Sequence, residues 1–231
     1  MSQVIKPINL GGVNCYLIEN NGRYVLIDTG MTTNPVNLDK KLENAGCKPG
    51  SLELVILTHG DIDHAGNCIY IRNKFGAKIA MHYDDEGIVE HKDMSWNRKT
   101  KPDRISKMGR IIMLLSKVML ILFGPGKFVP FKPDLYISDG QSLSEYGIHA
   151  GILHLPGHSK GSIGVLTANS DLICGDLFMN MPRPNLHFMI DDLPAANASI
   201  KKLRSLGIKT VYPGHGKPFP MELLLKNIRW T

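Results

Sequence analysis

The sequence predicts a mixed α/β fold, and three observations carry that prediction. Apolar runs of strand length alternate with stretches of helical periodicity, giving the order β-β-α-β-α-β over the first 81 residues. At 231 residues and 43% hydrophobic, the chain can bury a substantial core as one domain, residues 1–231. Four of the apolar runs end in glycine beside a histidine or aspartate, and a domain boundary anywhere between them would divide that set.

Each element follows from local pattern. Y-L-I at residues 16–18 and Y-V-L-I at 24–27 flank Asn20, Asn21 and Gly22, a turn signal that joins them as an antiparallel hairpin. Val36, Leu38, Leu42 and Ala45, with Lys and Glu between them and Gly46 after, read as a helix and its stop. A strand over 52–57, a helix over 65–75 ended by Gly76, and a strand over 77–81 follow. Residues 84–133 break the alternation with a charged stretch, an apolar run at 111–123 and the breakers Gly124, Pro125 and Gly126, and read as a helical insertion. Strands are predicted at 148–155, 163–167, 171–174 and 210–212, with a helix over 194–206 capped from Asp191 or Asp192.

Charge and cysteine usage narrow the function class. The net charge of +6 permits an anionic partner, but Lys and Arg are dispersed and charge alone decides little; the partner expected is a small-molecule substrate, with no nucleic acid. Cys15, Cys47, Cys68 and Cys174 show no C-x-x-C spacing, and the start M-S-Q-V-I-K lacks a secretory apolar stretch, which together point to a reducing cytoplasm. The run at 111–123 is apolar nearly all round, contains Lys117 and falls short of the ~20 residues that span a bilayer. Burial, a substrate lid, a homodimer contact and a membrane-surface contact through about residues 105–123 are the readings it leaves.

The four glycine-marked segments are T-H-G-D-I-D-H at 58–64, P-G-H-S at 156–159, C-G-D at 174–176 and P-G-H-G at 213–216. They supply seven metal-ligand side chains: His59, Asp61, Asp63, His64, His158, Asp176 and His215. Seven donors suit two divalent cations that share a bridging carboxylate, because a single four-coordinate ion would be overcrowded. Asp63 read alone is equally an N-cap for a helix starting near His64. His82, His91, His149 and His154 read as surface or packing residues, whereas His187 and Arg183 follow Asp176 on a Pro-rich loop that would overhang the site. Met179, Met181 and Tyr212 read as packing.

These residues resemble the metallo-β-lactamase superfamily of hydrolases, whose hallmark is H-x-H-x-D-H after a strand, then a lone His in P-G-H-[ST], an Asp in G-D and a late G-H-G. The segments of this chain stand in that order, and Asp28-Thr29-Gly30 resembles the family's D-T-G turn, which supports the metal site from behind the ligands. The resemblance implies a four-layer αββα sandwich of two mixed sheets flanked by helices. It implies one metal on His59, Asp61 and His158, a second on Asp63, His64 and His215, and Asp176 bridging. Asp61 departs from the family's usual second histidine. A hard carboxylate there shifts preference from zinc toward iron or manganese without excluding zinc. Counting two divalent ions, three carboxylates and one hydroxide, the site is neutral, where the usual histidine would leave it at plus one.

The function implied is metal-dependent hydrolysis of an ester, thioester, lactone or phosphodiester, with Asp63 as the catalytic residue that orients the nucleophilic water. The short stretch after the last ligand turn argues against glyoxalase II, the missing leader against a periplasmic β-lactamase, and the lack of a protruding arm against ribonuclease Z. Two other classes stay open: a diiron redox protein related to the flavodiiron oxygen and nitric oxide reductases, and a catalytically inert metal-binding regulatory protein.

Overall fold

A computed structural model describes residues 3–32, 35–123 and 128–227, so Met1, Ser2 and the predicted breaker Gly124-Pro125-Gly126 lie outside the described residues. The first half of the chain forms β1 (Val4–Asn9), β2 (Asn14–Asn20), β3 (Arg23–Ile27), α1 (Pro35–Asn44), β4 (Leu52–Ile56), α2 (Ile62–Ala65), α3 (Cys68–Phe75), β5 (Lys78–Met81), α4 (Glu86–His91), β6 (Arg104–Ile105) and α5 (Lys107–Phe123). The second half forms β7 (Leu135–Tyr136), β8 (Ala150–His154), β9 (Ile163–Thr167), β10 (Asp171–Asn180), β11 (Pro184–Leu186), β12 (Met189–Ile190), α6 (Leu193–Arg204), β13 (Thr210–Gly216), β14 (Phe219–Pro220) and α7 (Met221–Asn227).

Among the described residues these strands make two six-stranded mixed sheets. One runs β1-β2-β3-β4-β5-β7; the other runs β14-β13-β10-β9-β8, with β11 beside β10. Three apolar cores separate four layers. Strand alternation sends Tyr16, Ile18, Val25 and Ile27 to one face, where they meet Ile152, Ile163, Val165 and Ile173 of the other sheet. The opposite face of the first sheet, with Cys15, Leu17 and Leu26, packs on Leu38 and Leu42 of α1 and on Cys68, Ile71 and Phe75 of α3. Leu172, Cys174 and Val211 of the second sheet pack on Ala196, Ile200 and Leu203 of α6. The architecture is therefore the αββα sandwich.

The hairpin turn holds Asn21 at φ 51° and Gly22 at φ 79°, the left-handed pair that a two-residue turn between twisted strands requires. Asp192 caps α6 by accepting from the Ala195 backbone N–H at 2.9 Å. The structure departs from the sequence reading in three places. The single helix predicted over 65–75 is two, α2 and α3, broken around Gly66 and Asn67, where a Cβ on Gly66 would stand 2.5 Å from the Thr32 backbone nitrogen. The strand predicted over 171–174 continues through Asp176 to Asn180 because β13 pairs beside it in parallel. Residues 84–133 are only partly helical: α4 and α5 are separated by a turn-rich stretch and the short strand β6, which pairs with β12.

Helix α5 forms where the apolar run was read, but burial does not describe its outer face, where Ile111, Leu114, Leu115 and Val118 are 43–63% exposed. No helix among the described residues is long and apolar enough to cross a membrane.

Candidate metal centre

The parallel strands β3 and β4 end side by side, and the chain leaving them carries Asp28 and residues 58–64 to one end of the sandwich. The second sheet brings Asp176 and His215 to the same end from within β10 and β13, at a register irregularity between Gly175 and Met179. The two sheets are joined there by hydrogen bonds. Tyr16 Oη donates to Pro213 O at 2.6 Å, Asn14 Nδ2 to Gly216 O at 2.6 Å, and the Ile163 backbone N–H to Thr58 O at 2.8 Å. Asp176 and His215 are thus held by strand backbone, while His59 to His64 and His158 stand on the short turns and helix that leave the strand ends.

All seven side chains singled out from the sequence converge. His158 Nε2 lies 3.1 Å and His59 Nε2 3.7 Å from Asp61 Oδ2, and the same two nitrogens lie 4.0 and 3.9 Å from Asp176 Oδ2. On the other side, Asp63 Oδ2 faces His215 Nε2 at 3.5 Å and His64 Nε2 at 3.9 Å. Asp176 stands between the sets, with Oδ1 3.4 Å from His64 Nε2 and Oδ2 3.2 Å from His215 Nε2. Donor sets of His59, His158 and Asp176, and of Asp63, His64 and His215, are each compact enough to hold a cation.

Hydrogen bonds behind the ligands aim these nitrogens. His64 Nδ1 sits 2.9 Å from Asp28 Oδ2, His158 Nδ1 3.0 Å from Met189 O, and His215 Nδ1 2.7 Å from Gly12 O. Each Nδ1 therefore carries the proton and each Nε2 is turned inward as a donor atom, the arrangement that orients metal-binding imidazoles. Asp28, from the D-T-G turn, also accepts from the Thr58 backbone N–H and hydroxyl, both at 2.8 Å. His59 Nε2, His64 Nε2 and Asp176 Oδ1 are buried without a hydrogen-bond partner. Leaving three such atoms unsatisfied in one cluster is costly, and cations held by the two donor sets would satisfy them, so the residues fit metal.

The electrostatics divide the imidazoles. Burial lowers the pKa of His59 well below its ordinary value. Burial acts the same way on His64, His158 and His215, but the surrounding carboxylates, Asp176 and Asp61 foremost, outweigh it and raise all three, His215 to about 10. Burial opposes ionisation of Asp176, yet His187, His215 and His64 hold it well below the carboxylate range.

Three residues in the site were missed or ranked low by sequence reasoning. Arg98, from the stretch after α4, forms a buried ion pair with Asp61 Oδ1. Its guanidinium outweighs the burial that would raise the Asp61 pKa and keeps it strongly depressed. It also amends the charge count, since adding one cation to the neutral sum gives plus one. His187 Nε2 lies 3.3 Å from Asp176 Oδ2 and has no hydrogen-bond partner, and its ring packs edge-on to His158 and parallel to His215; burial lowers its pKa to about 4. Buried Asp85 pins the first ligand segment to the His158 turn, accepting from Gly60 N at 3.1 Å, Ser159 Oγ at 2.6 Å and Gly161 N at 2.8 Å. Neither Arg98 nor Asp85 belongs to a local motif. His187 alone gave a signal, through its Pro-rich loop.

Asp63 lies in the first turn of α2 and makes no cap; the N-cap position is held by Asp61, whose side chain makes no capping bond either. His82 and His154 stack on each other at 4.1 Å away from the centre.

Fold and site together define an αββα sandwich with a cluster of histidines and aspartates fit for metal, gathered around Asp176 at one end. The chain belongs to the metallo-β-lactamase superfamily, whose family model matches residues 8–215. It is 28% identical over 209 residues to a probable metallo-hydrolase of Methanocaldococcus jannaschii, covering 88% of this chain and 87% of that one. It is 26% identical over 169 residues to a hydroxyacylglutathione hydrolase of Haemophilus influenzae (72% of this chain, 66% of that protein) and 21% identical over 209 residues to a beta-lactamase-like protein 2 homolog of Drosophila melanogaster (90% and 60%). The chain thus spans less than two thirds of those last two relatives. Among solved structures, the BLEG-1 B3 metallo-beta-lactamase superposes with a TM-score of 0.72 at 21% identity, covering 95% of both chains. TTHA1623 in a di-iron-bound form superposes with a TM-score of 0.65 at 26% identity, covering 94% of this chain and 96% of that one.

Proposed function

We propose that the protein is a metal-dependent hydrolase that holds two divalent cations, iron or manganese in preference to zinc, and cleaves an ester, thioester, lactone or phosphodiester of a small molecule. The observation that carries the reading is the ring of inward-facing Nε2 and carboxylate atoms gathered around Asp176, four of them, with His187 Nε2, buried and unpartnered. When bound, such a cation pair supplies a water-derived nucleophile near neutral pH and polarises the scissile bond.

The chain's own residues set the geometry of that chemistry. His59, Asp61 and His158 would hold one cation and Asp63, His64 and His215 the other, with Asp176 between. Asp63 is the ligand carboxylate most open to the cavity, with a side chain 33% exposed, so it can orient a water and pass its proton to a leaving group. Arg98 draws Asp61 charge away from the cluster, which leaves Asp61 a weaker donor through Oδ2 while keeping it a hard oxygen ligand. The iron-bound form of TTHA1623 supports the metal preference by similarity. Four free, buried cysteines support a reducing, cytoplasmic setting.

The test is elemental analysis of protein expressed in iron- and manganese-supplemented medium, followed by a hydrolysis panel of ester, thioester, lactone and phosphodiester substrates. Turnover that follows the iron or manganese content supports the reading. Stoichiometric zinc alone counts against the metal preference, and no turnover in any metallated form counts against hydrolysis.

A further inference from the structure

Beside the metal cluster opens a cavity of about 360 Å³, within the size range of small-molecule sites. Its charged lining residues are Asp61, Asp63 and Asp176, joined by the imidazoles of His158, His187 and His215. The remaining lining is apolar or glycine: Gly12 and Val13, five methionines, Ile112 and Phe188. No lysine or arginine lines it among the described residues. A substrate bearing phosphate, sulfonate or peptide carboxylates away from the scissile bond would bury those charges against methionine, at a heavy desolvation cost.

The apolar wall is built, not incidental. Met108 and Ile112 stand four residues apart on α5 and both line the cavity. The start of α5 is fastened to the segment that carries His187: Ile105 pairs with Met189, Ser106 N donates to Phe188 O at 2.8 Å, and a Cβ on Gly109 would come within 2.7 Å of the Phe188 ring. Met179 is buried in the wall, while Met31 and Met181, 49% and 42% exposed, form its rim. Unbranched, polarisable methionine side chains repack around flexible apolar ligands.

We propose that this cavity receives an uncharged aliphatic chain, so that the substrate is a neutral ester or lactone whose acyl portion lies between α5 and the Met179–Met181 side while its carbonyl meets the metal cluster. The assignment rests on the hydrolytic reading above. In the reaction, water adds across the acyl C–O bond. The acyl carbon gains the hydroxyl, and the alcohol oxygen leaves with the proton.

Two measurements on the metal-loaded full chain test it. Burying one methylene changes affinity by roughly three- to fourfold. On p-nitrophenyl acetate, butyrate and octanoate, kcat/KM is expected to rise by at least about a hundredfold from acetate to octanoate, and Ile112→Asn is expected to lower the octanoate-to-acetate ratio by about tenfold or more. Independently of turnover, 2-decanone, a neutral probe that cannot be hydrolysed, is expected to shift the methyl resonances of Met108, Met179 and Met189 saturably and more tightly than 2-butanone. Ketone binding without turnover of any ester, thioester, lactone or phosphodiester would support the aliphatic site while sinking the hydrolytic reading. Equal rates on acetate and octanoate, or no difference between the ketones, would overturn the aliphatic site and leave hydrolysis standing.

Discussion

Replacing Arg98 with methionine leaves the buried Asp61 carboxylate without its cation. Both side chains of the pair are only 9% exposed, and Arg98 is the main influence holding Asp61 ionised against burial. Removing one partner of a buried pair costs about 3–5 kcal/mol when the other charge stays desolvated and unmatched, and the lower end applies here because His158 Nε2 still faces Asp61 Oδ2 at 3.1 Å. For a chain of this size each kcal/mol moves the melting temperature by roughly 2–4 °C. Metal-stripped Arg98→Met should therefore melt about 6–12 °C below the metal-stripped parent. With metal present the drop should shrink, since Asp61 Oδ2 faces the donors His59 and His158 and gains a cation there. Adding Asp61→Asn to Arg98→Met removes both charges and should recover most of the loss. The assay is scanning calorimetry of the parent, both single variants and the double variant, each with and without metal. A metal-stripped Arg98→Met within about 2 °C of the parent, or a double variant less stable than Arg98→Met, would refute the reasoning.

Other perturbations have equally definite outcomes. His64, His158 and His215 have raised pKa values, so their pairing with carboxylates stabilises the metal-free protein; that contribution is complete below the ordinary value of 6.5 and is lost as pH rises through the folded values, about 10 for His215. Metal needs neutral imidazoles, so calorimetric titrations in buffers of different ionisation enthalpy should show proton release, and apparent affinity should climb with pH toward 10. His187→Asn removes a ring 3.3 Å from the Asp176 carboxylate and should weaken metal binding or activity by about 10–100-fold, read by competition with a chelating dye. Gly214→Ala would place a methyl 2.3 Å from Asp176 Oδ1 and 2.7 Å from His64 Cε1, so it should lower metal content with little loss of secondary structure by circular dichroism.

Much of this architecture was legible in the sequence because local physics decides it. The Asn21-Gly22 turn, the periodicity behind α1 and the Asp192 cap of α6 are short-range signals, and the structure has them within a few residues of where the sequence puts them. The metal-binding candidates were legible for a different reason: their residue types are rare beside strand ends and carry fixed spacing. What escaped was set by distant partners. β10 runs through Asp176 because β13 lies next to it, which nothing between residues 171 and 180 announces. Arg98 reaches Asp61 across 37 residues, and Asp85 reaches Gly161 across 76, so one cation and one carboxylate that shape the centre read as ordinary surface charges in a charged stretch. Met179 and Met181 read as packing, whereas both line the cavity beside the cluster.

The central claim is that Asp176 joins two cation-holding sets. Metal content by mass spectrometry, measured beside turnover on the best substrate of the panel, tests it most directly. The account predicts about two divalent ions per chain in the parent, and loss of metal together with loss of turnover in Asp176→Ala. An Asp176→Ala protein with full metal content and full activity would contradict it.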